Sequence, residues 1–303
     1  MKKVVSVSLG SASRDHRAQV DLLGERFDIS RIGTDGSLDK AIATLRALDG
    51  TVDALGLGGI DVYLYAGTDR YALRDGLRLL EAVKTTPVVD GSGLKNTLER
   101  GAVAFIAERL GIPLRGTRVL MVSALDRFGM AQALVQAGAD VVFGDFIFAL
   151  DLDRPVRGLD EFEEMARKYL PDACKLPFQF FYPTGKKQDR APQPKYPEYY
   201  EDAEIIAGDY HFMRQFMPER LDGKTILTNT VTANDIDFLR ARGVARLITT
   251  TPDFGGRSFG TNVVEAALIA LLGKRVADVT EDDYRGLLRE LDLHPRVVEF
   301  QAV

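Results

Sequence analysis

The chain lacks most of the residues that announce a site at first sight. It carries one cysteine, Cys174, in 303 residues. That excludes an internal disulfide framework and fits a reducing compartment. Its three histidines, His16, His211 and His294, form no HxxxH or His/Cys pair, so no metal site is expected. A formal net charge of −5 with both signs intermingled leaves no basic face for nucleic acid or for a membrane surface. No window reaches the roughly 18 uninterrupted apolar residues of a membrane span. The opening MKKVVSVSLG is interrupted by Ser6, Ser8 and Gly10, and Arg14-Asp15-His16-Arg17 follows at once. It reads as a first strand, not an export signal, and the cytoplasm is the expected location. The absence of a G-x-S-x-G elbow disfavours an α/β-hydrolase.

What the chain has is length for two domains and an ordinary globular balance, 46% hydrophobic and 27% charged. Residues 1–112 alternate strand and helix patterns. Lys3–Leu9 is strand-like, and Ala18–Leu23 and Arg26–Ile32 flank Gly24-Glu25 as a hairpin. Leu38–Leu48 has helical spacing, Val52–Leu57 reads as a buried strand, and Val62–Tyr65 pairs with Tyr71–Leu73 across Gly67. Leu77–Val83 is helical, Pro87–Val89 a short strand and Leu94–Leu110 a helix. Gly111-Ile112-Pro113 then breaks the pattern, which places a domain boundary there.

From Val119 onwards αβ units return, with strands at 119–122, 205–207, 225–229 and 246–250 and helices at 212–216, 234–242 and 262–272. The expected fold class is α/β with two domains. Residues 1–112 form a small α/β substrate domain, and residues 113–303 a doubly wound, Rossmann-like parallel sheet. Residues 151–203 interrupt that second domain. Their stretch 176–200 is crowded with proline and aromatics, from Pro177 and Phe178 to Tyr199 and Tyr200. Long segments of this kind are lids, binding loops or subunit contacts. A homodimer built partly from 176–200 is one expectation and a substrate lid the other.

The most informative stretch is 117–145, where an apolar strand, a short turn, an amphipathic helix and a second strand ending in Asp145 succeed one another. That order is the opening βαβ unit of a dinucleotide-binding fold. The turn Ser123-Ala124-Leu125-Asp126-Arg127-Phe128-Gly129 would hold the pyrophosphate, although only Gly129 survives of G-x-G-x-x-G. Asp145 stands about 20 residues on, where the ribose-binding acid is expected. Asp126 is the awkward residue. Two unit charges roughly 4 Å apart repel by about 4 kcal/mol at a surface-like dielectric. Either Asp126 points away with Arg127 offsetting it, or the nucleotide binds in an altered way, or no dinucleotide binds.

Other turns at strand ends offer polar groups. In Asp90-Gly91-Ser92-Gly93-Leu94-Lys95-Asn96, a helix N-terminus opens an anion site where Asp90 orients a general acid or base, Lys95; alternatively Ser92 caps the helix and Lys95 faces solvent. Gly56–Asp61 follows a buried strand, and Asp61 either binds a hydroxyl or belongs to a plain turn. Arg257 lies in a glycine-rich stretch at a strand's C-terminal end and suits a carboxylate or phosphate, with Ser258 and Asn262 as substrate contacts or caps. Asn229-Thr230 occupies the same edge one strand earlier, on the nicotinamide side, and His211 lies near it. Gly185-Lys186-Lys187 lacks the rest of a P-loop.

Ser6-Val7-Ser8 after the first strand, Lys95 with Asn96-Thr97, and the small domain before a nucleotide-binding one resemble the quinate/shikimate 5-dehydrogenase-like proteins over nearly the whole chain. Leu98 stands where that family has aspartate. The resemblance implies an oxidoreductase that passes hydride from a small hydroxy acid to NAD, with NADP as the alternative. Lys95 would relay the hydroxyl proton, assisted by Asp90 or Asp61. Ser6, Ser8, Ser92, Asn96 and Arg257 would hold a substrate carboxylate. Two other readings stay open: a transferase or lyase taking a phosphorylated or mononucleotide ligand in the interdomain cleft, and a non-catalytic ligand-binding protein on the same scaffold.

Overall fold

The computed structural model describes residues 1–180, 191–251 and 259–300. Arg257, Ser258, the 181–190 part of the aromatic segment and Gly185-Lys186-Lys187 lie outside the described residues.

The first sheet is built around a strand covered on both faces. β1 (Lys2–Ser8) is buried from Val4 to Ser8, which is why it reads as a nearly continuous apolar run. It pairs in parallel with β3 (Glu25–Gly33) on one side and with β4 (Ala54–Gly58) on the other. β2 (Arg17–Leu22) folds back antiparallel on β3. Their two-residue loop, Leu23-Gly24, has positive φ at both positions (51° and 81°), the backbone twist that a tight hairpin requires. The helix α1 (Leu38–Leu48) is capped by Ser37. The hairpin β5 (Tyr63–Ala66) and β6 (Asp69–Ala72) stands apart from the sheet, and α2 (Arg74–Leu80) follows. β7 (Val88–Val89) completes the order β2-β3-β1-β4-β7.

α3 (Ser92–Glu108) then leads across to the second half. There β8 (Arg118–Met121), α4 (Phe128–Gln136) and β9 (Asp140–Phe143) form the βαβ unit read from the sequence. The predicted insertion is more regular than its proline and aromatic content suggested. α5 (Leu159–Ala173) buries Phe162, Met165, Ala166 and Leu170, the spacing of one helical face. Phe162 and Met165 join the core of the second half, whereas Ala166 and Leu170 join that of the first. The helix therefore ties the two halves together.

α6 (Pro197–Asp202) leads into β10 (Ile205–Ala207), followed by α7 (Tyr210–Phe216), β11 (Thr225–Thr228), α8 (Ala233–Ala241) and β12 (Arg246–Thr249). Five parallel strands result, in the order β9-β8-β10-β11-β12. α9 (Thr261–Leu272) does not cover this sheet. Its residues Val263, Ala266, Ala267 and Ile269 pack with Val4, Phe27, Ala54 and Leu94 of the first half. The approach is close: a Cβ at Gly56 would lie 2.9 Å from the Asn262 carbonyl oxygen, and one at Gly91 2.8 Å from its amide. Glycine at both positions makes the return possible. α10 (Glu281–Glu290) and β13 (Arg296–Glu299), which runs antiparallel to β12, end the described chain; neither was read from the sequence.

Strand order fixes where a ligand can bind. In the first sheet the connections leave β1 and β4 in opposite directions, and in the second they leave β8 and β10 likewise. Such switch points open a crevice beyond the carboxyl ends of the strands. Here the two crevices face each other.

Candidate functional site

A cleft of about 800 Å³ lies between the halves, lined by the turns after β1, β4, β8 and β10. Its first-half wall brings together three residues the sequence singled out. The Lys95 ammonium donates to Asp61 Oδ1 at 2.7 Å and to the Asp126 carbonyl oxygen at 3.0 Å. Lys95 thus touches both halves and does not face solvent. Burial works against its charge, yet Asp61 together with Asp126 and Glu99 outweighs burial and the nearby Arg127 and holds Lys95 above the usual lysine value. Burial, reinforced by Asp90 and Asp126 and opposed by Lys95, lifts the Asp61 carboxyl above the usual range.

Asp90 has a structural duty as well. It accepts from the Val62 amide (2.6 Å), the Ser92 amide (2.9 Å) and the Ser92 hydroxyl (2.6 Å), joining the turn after β4 to the start of α3. Ser92 is therefore committed to Asp90 and does not line the cleft. Asn96 does not line it either. It lies under α4, where a Cβ at Gly129 would meet its Oδ1 at 2.5 Å and its Cα at 3.1 Å. The surviving fingerprint glycine accordingly packs helix on helix, not helix on strand.

Ser6 and Ser8 do line the cleft. Ser6 Oγ accepts from Asn262 Nδ2 at 2.7 Å, and Ser8 Oγ from the Gly10 amide at 3.1 Å and Arg31 Nη2 at 2.9 Å. Each hydroxyl keeps its own proton to donate. Asn262 is not a helix cap, since Gly260 holds that position; its amide instead positions Ser6. On the opposite wall Asn229 and Thr230 line the cleft as well. Asn229 donates to Asp209 Oδ2 at 2.8 Å, and the Thr230 hydroxyl contacts the Thr251 hydroxyl at 3.1 Å and the Phe259 carbonyl at 3.2 Å.

The turn Ser123–Gly129 does not fit a dinucleotide. A diphosphate needs the turn amides and the helix N-terminus as free donors. Here the Asp145 carboxylate takes the Ala124 amide (3.0 Å) and the Leu125 amide (3.1 Å). It is 7% exposed, and burial raises it to about 7 despite those bonds. It is not available to a ribose. Glu99, reaching over from α3, accepts from the Met130 amide at 3.3 Å in the first turn of α4. Its other oxygen takes Arg127 Nη1 at 2.7 Å. Burial pushes Glu99 up to about 7 against the pull of Arg127. Arg127 also donates to Asp209 Oδ2 at 3.1 Å, while the Ser123 hydroxyl donates to Asp126 Oδ1 at 2.7 Å. Ala124 and Phe128 belong to the core. Protein carboxylates hold the positions assigned to the cofactor, so the reading of this turn and of Asp145 is corrected.

Sequence reasoning passed over Arg14, Arg31, Glu99 and Asp209. Arg14 follows β1 in the polar run Ser11–Arg17, and its Nη1 meets His211 Nε2 across the cleft. Asp209 caps α7 by accepting from the His211 amide (3.0 Å) and the Phe212 amide (3.1 Å). Among the described residues no group of three His, Cys, Asp or Glu side chains is placed to hold a metal ion, and no helix is long and apolar enough to cross a membrane.

Residues 93–300 match the family model described as a domain of unknown function, DUF8754, and the chain belongs to that family. Residues 3–90 match a second domain of unknown function, DUF8753. No curated protein matches the sequence. Solved structures resemble it at low identity. The glucose-galactose binding protein GanP of Geobacillus stearothermophilus is 13% identical, with 98% of this chain and 97% of that one covered and a TM-score of 0.39. The arabinose binding protein AraP of the same organism is 11% identical over 98% and 96%, with a TM-score of 0.40. A hetero-hexameric glutamate dehydrogenase of Thermus thermophilus is 14% identical over 96% and 74%, with a TM-score of 0.43. The family that matches is one of unknown function and not the quinate/shikimate 5-dehydrogenase-like family that the sequence suggested. The structures are mostly sugar- and solute-binding proteins and not quinate/shikimate dehydrogenases. The oxidoreductase reading falls with that resemblance.

Proposed function

We propose that the chain is a non-catalytic receptor that holds one small polar molecule between its two α/β halves. The observation that carries this reading is the cleft itself, about 800 Å³ at the facing switch points of two mainly parallel sheets. That volume lies within the usual range for small-molecule sites. Its walls suit a molecule bearing hydroxyls and a carboxylate. Asp61, Lys95 and Asn229 offer the paired acceptors and donors that hydroxyls need. Arg14 and Arg31, with the Ser6 and Ser8 hydroxyls beside them, offer a cationic end for the carboxylate.

Calorimetry and thermal-shift screening against sugars, polyols and hydroxylated carboxylates test the proposal. Saturable binding of at least one such compound is expected, with the ligand recovered unchanged by NMR. Lys95→Met should weaken that binding by tenfold or more, about 1.4 kcal/mol. Absence of binding across the panel would overturn the reading, and conversion of the bound compound would replace a receptor with an enzyme.

A further inference from the structure

Among the contacts that join the halves, two differ in kind. On one side α3 packs along α4, with Asn96 against Gly129 and with Glu99 buried on Arg127. Across the cleft, by contrast, Arg14 meets His211 with a single hydrogen bond between half-buried side chains. Arg14 belongs to the first half, since its turn is tethered by the Ala12 amide on Asp35 Oδ1 at 2.8 Å. His211 sits in the first turn of α7, which Asp209 fixes to the second half through Arg127.

The chemistry of this contact sets a protonation state. A guanidinium has donors only, so His211 Nε2 must present its lone pair. The imidazole is then neutral, with its proton on Nδ1. We propose that Arg14 and His211 form a proton-operated latch over the cleft, closed while the imidazole is neutral and released when it gains a proton. Protonation removes the only acceptor available to Arg14 in this pair and places two cations side by side. Among the described residues, the two carboxylates that act on His211 already have partners of their own. Asp209 has one oxygen on the α7 amides and the other on Arg127 and Asn229. Asp235 accepts from the Thr232 amide and hydroxyl in the cap of α8. Arg214, one turn further along α7, adds positive charge, and the neighbouring Tyr210 ring lies edge-on at 5.9 Å. Burial, then Arg14, holds His211 below the ordinary histidine value against the pull of Asp209 and Asp235. Release therefore belongs to mildly acidic solution.

The latch goes beyond the receptor reading and needs no ligand for its test. Spin labels at Gln19→Cys and Asp237→Cys, both exposed, report the distance between halves in a Cys174→Ala background. Between pH 8 and pH 5 the distance peak should lengthen by about 2 Å or more, the scale of element shifts in switching proteins. His211→Gln keeps an acceptor without a titrating group and should stay at the short distance at both pH values. Arg14→Met should stay at the long one. Circular dichroism melts confirm that each variant is folded. No lengthening of the parent protein, or lengthening that persists in His211→Gln, would overturn the latch. A failed ligand screen would leave this result untouched.

Discussion

Two turns of the molecule share a plan and differ in outcome. Each follows a parallel strand, opens a helix and faces the cleft: Asp90–Lys95 in the first half, Ser123–Phe128 in the second. In both, a protein carboxylate organises the turn amides, Asp90 in one case and Asp145 in the other. The first turn nevertheless keeps an ion pair, Lys95–Asp61, on the wall of the cleft. In the second, Arg127 is 4% exposed and engaged with Glu99 and Asp209, and Glu99 also takes an amide of the helix N-terminus. A strand–turn–helix becomes an anion site only when its donors have no partner inside the protein. That condition depends on residues 20 to 30 positions away, not on the turn's own sequence.

The largest effect is expected from breaking the second turn's ion network. Arg127→Met leaves Glu99, 1% exposed, without its cation. Removing one partner of a buried pair costs about 3–5 kcal/mol, and denaturant unfolding should show a loss of that size. Glu99→Gln together with Arg127→Met should recover part of it, because no uncompensated charge remains. If the single variant unfolds like the parent, the network is not what holds α3 to α4.

A somewhat smaller effect follows from Asp145. Burial raises its carboxyl to about 7 in the folded protein, against about 4 in an unfolded chain. The folded state therefore binds the extra proton between these values, and stability falls as pH rises through that window. Asp145→Asn keeps an oxygen for the Ala124 and Leu125 amides but cannot ionise. It should match the parent near pH 4 and exceed it near pH 8 by roughly 2–4 kcal/mol. Equal pH profiles for the two proteins would show that Asp145 is not held in this way.

The turns also show what a sequence can and cannot disclose. Asp61, Asp90 and Lys95 were legible because each ends or follows a strand of one parallel sheet, and strand order alone delivers such residues to a common edge. The hairpin was legible from alternation, although its loop was read one residue late at Gly24-Glu25, and α1 was legible from its helical spacing. α5 was not, because proline and aromatic content drew attention away from the spacing of Phe162, Met165, Ala166 and Leu170. Nor was the return of α9 to the first sheet, whose only trace is glycine at positions 56 and 91, where Asn262 presses against the backbone. Asp145 was read at the right distance for a ribose contact, but a distance along the chain does not say which amides its carboxylate meets.

Packing at the second turn can be tested without touching a charge. Gly129→Ala places a methyl 3.1 Å from the Asn96 Cα, a backbone atom that cannot rotate away. Overpacking of this kind costs about 1–3 kcal/mol, and the double variant Gly129→Ala with Asn96→Gly should recover less than all of it, since glycine also weakens α3.

The smallest expected change belongs to the first turn. Ser92→Ala removes the 2.6 Å hydroxyl donor to Asp90 but leaves the Ser92 and Val62 amides in place. With two of three donors retained, the cost should be about 1 kcal/mol, the ordinary value of one hydrogen bond. Ligand affinity should stay unchanged, because Ser92 does not reach the cleft. Thermal melts and the same calorimetric titration separate the two effects. An affinity loss without a stability loss would mean that Ser92 touches the ligand after all, and the contrast between a turn that stitches and a side chain that binds would have to be redrawn.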